Sequence, residues 1–356
     1  MSVEIDVDSW IKEEVSHIEL GDDRLNKRLE ILVNQLSQML TSSIPEACGS
    51  WAAMKAAYRF FDSDNVKVRD IQESFFASTL DRIRGEETVL VAQDTTSLDF
   101  TRHKGTKGLG YLDNLLCQGI KIHSGLAISV AGVPIGLIDQ KFLVRKREEA
   151  GKRGRRKKKK TEEKESQRWL TTAENIQRRI GELRSGKGKT KKVVIVSDRE
   201  SDIFDLFAQG RGEGNELLIQ WLIERYHYVL KSGCQIEELQ LEEEERIERA
   251  TAVYCVVAWR LLFITYLARK DPDKSSSGIV EQSEWEAMYC FTHKTTSPPS
   301  SAPSLSELVR QIAKLGGFIG RKGDGDPGVK VLWRGIRRLP DISGMYQIFR
   351  KDMGNA

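Results

Sequence analysis

Two short apolar runs constrain this chain more than any other feature: TVLVAQD (88–94) and KKVVIVSD (191–198), both rich in β-branched residues and both ending in an aspartate. Between them, HSGLAISV and VPIGLIDQKFLV spell a hairpin turning at Ala131-Gly132. A long polar helical stretch, TEEKESQRWLTTAENIQRRIGELR (161–184), precedes the second run, and a short one, SDIFDLFAQ (201–209), follows it. This order of strand, hairpin, helix, strand and helix predicts a mixed α/β sheet. Its first three strands should be antiparallel and the later ones parallel to the first.

The order is that of a ribonuclease-H-like core, expected here over residues 86–270. Residues 9–82 read as helical: Leu20, Leu25, Leu29, Leu32, Val33 and Leu36 recur at three-to-four spacing, and Ala52 to Phe61 do so again. We therefore expect a helical domain over 1–85. Its outward face would carry Arg24, Lys27, Arg28, Lys55 and Arg59, either as an ordinary charged surface or as a phosphate-binding one. ELLIQ (216–220) reads as the start of a fifth strand that runs straight into the helix WLIERYHY. The later segment AVYCVVAWRLLFITYLA is apolar all round and should be buried between helices. Residues 271–303 look like a connector around a helix at EWEAMYCFTH, and LSELVRQIAKLG and KVLWRGIRRL give helices in a C-terminal region over 271–356.

With 356 residues and 39% hydrophobic content the chain can build a substantial core. No uninterrupted apolar stretch reaches the length of a membrane span, and the acidic start MSVEIDVDSW is unlike a secretory signal, so a cytoplasmic protein without a membrane role is expected. The five cysteines have no metal-binding or disulfide spacing, and His103, His123 and His227 no zinc spacing. Net charge is only +4, but the charge is local: RKREEAGKRGRRKKKK (145–160) is densely basic. Such a block is either a solvated loop or a phosphate-neutralising one. GELRSGKG (181–188) nearly spells a phosphate-binding loop, yet Gly188 replaces the magnesium-binding hydroxyl and the order of helix and strand is reversed, so no nucleotide cofactor is expected.

Asp94 and Asp198 fall at the carboxyl ends of two strands, the edge of an open α/β sheet where ligands bind. Each could equally end a strand or cap a helix. Side by side, the pair would repel unless a cation lay between them, and oxygen ligands select Mg²⁺ or Mn²⁺. Such ions serve the two-metal cutting and rejoining of phosphodiesters. Many glutamates could supply a third ligand, and spacing does not choose among them.

The segments VAQDTTSLDF, KESQRWL, VVIVSDRESDIF and WLIERYHYVLKSG together resemble the DDE transposases of the insertion-sequence-four family, the group that includes the transposase of transposon five. LGDDRLNKRLEILV and SIPEACGSWAAMKAAYRFFDSDNV are similar to that family's end-binding domain, and SLSELVRQIAKLGGFIGRKGDGDPGVKVLWRGIRRL to its C-terminal dimerisation tail. The resemblance implies Asp94, Asp198 and Glu224 as catalytic, metal-holding carboxylates. It implies Lys231 as a phosphate contact, with Arg199 and the basic block positioning DNA. Its further implications are a DNA-bound homodimer and cleavage and strand transfer at transposon ends.

Two departures stand out. The family helix spaces Tyr-x2-Arg-x3-Glu-x6-Lys, but here the first two positions are Leu217 and Gln220. The family's β-rich insertion between the second Asp and the Glu is missing, which reads as an internal deletion that also removed the front of the signature helix. The alternative to an active transposase is thus an inactive remnant that binds ends or inhibits a full-length copy. A nuclease of unrelated function, without end-specific binding, is a third reading.

Overall fold

In the computed structural model the described residues are 9–146, 167–183, 192–197 and 216–354. Five helices open the chain: α1 (Ser9–Glu14), α2 (Asp23–Gln38), α3 (Ile44–Cys48), α4 (Trp51–Phe61) and α5 (Val68–Ile83). Ser43 and Ser50 cap α3 and α4 by accepting from the amides of Glu46 and Ala53, each satisfying a donor that a helix start leaves orphaned. The apolar stripe read in the sequence is the inner face, with Leu29, Leu32, Val33 and Leu36 of α2 and Phe60 and Phe61 of α4 buried.

The sheet comprises β1 (Thr88–Asp99), β2 (Gly110–Tyr111), β3 (Gln118–Ser129), β4 (Pro134–Leu143) and β5 (Lys192–Ser197). β3 lies antiparallel to β1 and to β4, and β5 runs parallel to β1. This is the mixed α/β sheet expected, with helical regions before and after it. The β3–β4 turn needs Gly132, which sits at φ 80°. Gly136 of β4 is needed for closeness instead, since a Cβ there would collide with Thr79 Oγ1 of α5, the helix covering that strand. Arg82 of α5 donates through Nε to the Ile135 carbonyl at 2.8 Å, ion-pairs with the buried Glu14 of α1, and lies 4.3 Å from the centre of the Trp259 ring.

β1 does not end at Asp94. Parallel pairing with β5 runs to Gln93 opposite Ser197, the last described residue of that strand, and antiparallel pairing with β3 continues to Asp99 opposite Gly119. Asp94 is therefore mid-strand. Beyond β1–β4 come α6 (Gln167–Glu182), then α7 (Glu216–Tyr228), which runs on into a π-helical turn over Val229–Gly233. Residues 216–220, expected as strand, are the first turns of α7. Their apolar character was ambiguous between a short strand and a helix start, and continuity with the following helix decides it. The loopless joint inferred from that strand is absent, and the front of this helix is present; at Leu217 and Gln220 the departure from the signature is one of residue type.

The centre of the fold is α8 (Glu244–Lys270), followed by α9 (Gln282–His293), α10 (Leu305–Leu315), α11 (Val329–Ile336) and α12 (Leu339–Gly354). By length and composition α8 could cross a membrane, which corrects the expectation that no segment could, but 83% of its apolar window is buried inside the fold. It packs on β4, α2, α5, α10 and α11. One continuous apolar core runs from Trp10 through Tyr254 to Leu339, joining the N-terminal helices, the sheet and the C-terminal helices. α12 had no counterpart in the sequence reading.

Candidate active site and nucleic-acid interface

Asp94 is partly buried, its side chain 18% exposed. One carboxylate oxygen accepts from the Thr95 amide at 2.7 Å, and the other lies 3.3 Å from His227 Nδ1. His227 belongs to α7, and sequence reasoning set it aside for lack of zinc spacing. The available signal was helical: Glu224, His227 and Lys231 share one face at three- and four-residue spacing. His227 meets Asp94, and Lys231 donates to the Ser97 carbonyl at 2.9 Å, so this face runs along β1. Glu224 is exposed one turn before His227.

Around Asp94 a hydrogen-bonded relay crosses the sheet. Arg168 Nε donates to Thr95 Oγ1 at 3.0 Å, and Thr95 Oγ1 lies 2.8 Å from His123 Nδ1. His123 Nε2 lies 3.2 Å from Gln93 Oε1, an acceptor, so Nε2 carries the proton and the Thr95 hydroxyl donates to Nδ1. Burial, reinforced by the charges of Arg168, His227 and Lys141, lowers the His123 pKa to about 3, so the imidazole is neutral near pH 7. Its ring packs edge-on against Trp169 at 4.5 Å.

Several buried polar atoms here have no hydrogen-bond partner: Gln93 Nε2, Trp169 Nε1, Ser197 Oγ and His227 Nε2. Of these, His227 Nε2 belongs to the ring that meets Asp94, while Gln93 and Trp169 lie with His123 on the opposite face of the sheet, because Gln93 and Asp94 alternate along β1. As a hard oxygen donor Asp94 suits a divalent cation. Among the described residues, however, no group of three possible ligands is gathered closely enough to hold one. Asp198 and Arg199 lie outside the described residues, as do 147–160 of the basic block and the 201–209 segment. Asp198 directly follows Ser197, which pairs with Gln93.

Lys231 was expected to hold a DNA phosphate. In the fold it is committed to the protein, bonded to Ser97 and 3.3 Å from Glu237 Oε1, because the π-helical turn directs it back onto β1. Glu237 in turn accepts from the Asp99 amide at 2.8 Å.

On the N-terminal helices, Arg24, Lys27, Lys55 and Arg59 are exposed and Arg28 is half-buried. Arg24 pairs with Asp22, the cap of α2, through Nε and Nη2, and its side chain remains 91% exposed. Lys27, Arg28, Lys55 and Arg59 have no carboxylate in ion-pair range among the described residues. At the other end of the chain, Met345, Ile348 and Phe349 of α12 are 53%, 57% and 59% exposed and form an apolar seam at helical spacing.

Known families match at both ends. Residues 7–66 match the family described as transposase DNA-binding, and residues 256–346 that described as transposase Tn5 dimerisation domain. The unpaired basic face lies within the first match, and α9, α10 and α11 lie within the second. With an α/β sheet between two such regions, the chain is similar to a Tn5-like transposase, one that binds DNA and forms a homodimer.

Proposed function

We propose that this protein is a DDE transposase of the insertion-sequence-four type, cutting DNA at transposon ends and joining it to a target in a Mg²⁺- or Mn²⁺-dependent reaction. The observation that carries the reading is the pair of family matches flanking a sheet whose partly buried Asp94 meets His227. We read the sheet as ribonuclease-H-like, since β1, β3 and β4 are antiparallel and β5 parallel to β1.

In this reading Asp94, Asp198 and Glu224 would hold the metal. Bound there, a divalent ion supplies a Lewis acid that activates water or a 3′-hydroxyl and steadies the leaving oxygen. The chain's own groups do the positioning. His227 and the Thr95 amide fix the rotamer of Asp94, and the neutral His123 relay braces Thr95 from the next strand. Lys231, tied to β1 through the Ser97 carbonyl, would hold the end of α7 to the strand, with Glu224 on the same helix one turn before His227. Lys27, Arg28, Lys55 and Arg59 would fix the duplex through phosphate contacts, which set register without reading sequence. The site of action is the cytoplasm, at the nucleoid.

The test is incubation of the purified chain with labelled transposon ends, with and without Mg²⁺. Metal-dependent cleavage that Asp94→Asn abolishes supports the proposal. End binding without cleavage would instead make the chain a DNA-binding remnant, in line with Leu217 and Gln220 in place of the signature Tyr and Arg. Cleavage without preference for ends would reduce it to a nuclease of another kind.

A further inference from the structure

We propose that Trp51 is a non-ionic anchor on duplex DNA, laid against the double helix by the cations of its own helix; the proposal rests on the DNA-binding reading of residues 7–66. Trp51 is 74% exposed. Of the other tryptophans, Trp10, Trp169, Trp259, Trp285 and Trp333 are buried, and Trp221 is 38% exposed. A tryptophan carries one of the largest apolar surfaces of any side chain, and leaving it in water forfeits the gain of burying it. A fold that buries five of its other six indoles holds this one out at a fixed point.

The point is fixed because Trp51 is the first residue of α4. Ser50 caps that helix, Gly49 ends α3 in the left-handed conformation at φ 66°, and Ala57, Phe60 and Phe61 seat the opposite face in the core. The indole is therefore presented by an anchored helix, with little backbone entropy left to lose on docking. Its helix also sets the charge around it. Lys55 and Arg59 follow at four-residue steps on the same face, both exposed and both without a carboxylate partner among the described residues. α4 has no acidic residue in its first turn. α2, which carries Arg28, packs on both α3 and α4.

An apolar ring bordered by unpaired cations fits nucleic acid better than a protein surface. A protein partner would have to bury those cations or supply carboxylates for each. A duplex supplies phosphates at regular spacing, with apolar sugar edges and thymine methyls between them for the indole. The two parts of the stripe then have different signatures. Lys55 and Arg59 bind by releasing counterions and govern the salt dependence; Trp51 contributes the same factor at every salt concentration.

The experiment is titration of the full chain with a mixed-sequence duplex several helical turns long, across a range of salt concentrations. Trp51→Ala should weaken binding about tenfold at every salt concentration, a loss of the size expected for one buried aromatic contact, and leave the slope unchanged. Lys55→Ala and Arg59→Ala should each lower the slope by about one. Trp51→Phe should keep most of the affinity. In parallel, acrylamide quenching of the wild type minus that of Trp51→Phe isolates the exposed indole, and saturating DNA should protect it. The proposal is overturned if Trp51→Ala binds as the wild type does, or if DNA leaves the quenching of Trp51 unchanged, while the Lys55 and Arg59 slopes still shift. A wild-type chain that binds no duplex at all would sink the underlying DNA-binding reading as well.

Discussion

Asp94 accepts from the Thr95 amide and lies 3.3 Å from His227 Nδ1, and in the proposed function its charge is offered to a cation. Asp94→Asn keeps the size and the bond to Thr95 but loses the anion, so the fold should survive. Mn²⁺ binding by calorimetry should vanish, and metal-dependent cleavage should fall by on the order of a hundredfold or more, the scale of loss from a misplaced reactive group. Equal Mn²⁺ binding by variant and wild type would remove Asp94 from the site. His123 allows a test that needs no DNA. Its pKa is lowered to about 3 in the fold against 6.5 for a free imidazole, so between those values the unfolded chain binds the extra proton. The stability this confers is fully present above about pH 6.5 and is lost as pH falls toward 3, at roughly 1.4 kcal/mol per pH unit at the steepest. Urea midpoints of wild type and His123→Gln should therefore converge as the pH is lowered from about 6.5 to 4. Parallel curves would mean that His123 takes up its proton within the fold.

Between elements, the joints are made by buried arginines. Arg249 of α8 donates to the Val66 and Phe61 carbonyls at 2.8 Å, tying the α4–α5 connection to the core helix, and pairs with Glu245. Arg249→Met should keep the volume and leave both carbonyls without donors, costing about 2 to 4 kcal/mol in urea unfolding. A loss below about 0.5 kcal/mol, the usual range for an exposed side chain, would mean that water replaces the guanidinium. Such joints were not legible in the sequence, because nothing local distinguishes Arg249 from a surface arginine. Periodicity was legible: the stripes of α2 and α4, the hairpin turn at Gly132, the all-round apolar α8 and the α10 segment all fall where the pattern put them. It failed at ELLIQ, too short a run to separate strand from helix, and at Asp94, where the end of the apolar run was taken for the end of β1. His227 was missed because its role depends on meeting another element. α12 was missed because LPDISGMYQIFR places Pro340 and Gly344 in a helix with three exposed apolar residues, a pattern that packing on α9 explains and local propensity does not.

For the whole molecule, the open surface at α12 is the complement of the closed core. Ile348 and Phe349 lie just past the segment that matches the dimerisation family, and α12 packs on α9 within it. Replacing both by Asp should leave the protomer folded and shift sedimentation of the DNA-bound protein from dimer to monomer; a dimer that persists would place the interface elsewhere. The deeply buried α8 has a consequence for synthesis. α2, α5 and β4, three of the elements it packs on, precede it in the chain, so that part of its seat has left the ribosome before the apolar segment emerges. A copy beginning downstream of α5 would deliver the same segment to the cell with much of that seat missing. Its composition would then suit a lipid bilayer as well as a protein core, and the fate of such a shortened copy, membrane-bound or degraded, would be set by the absence of helices α1 to α5.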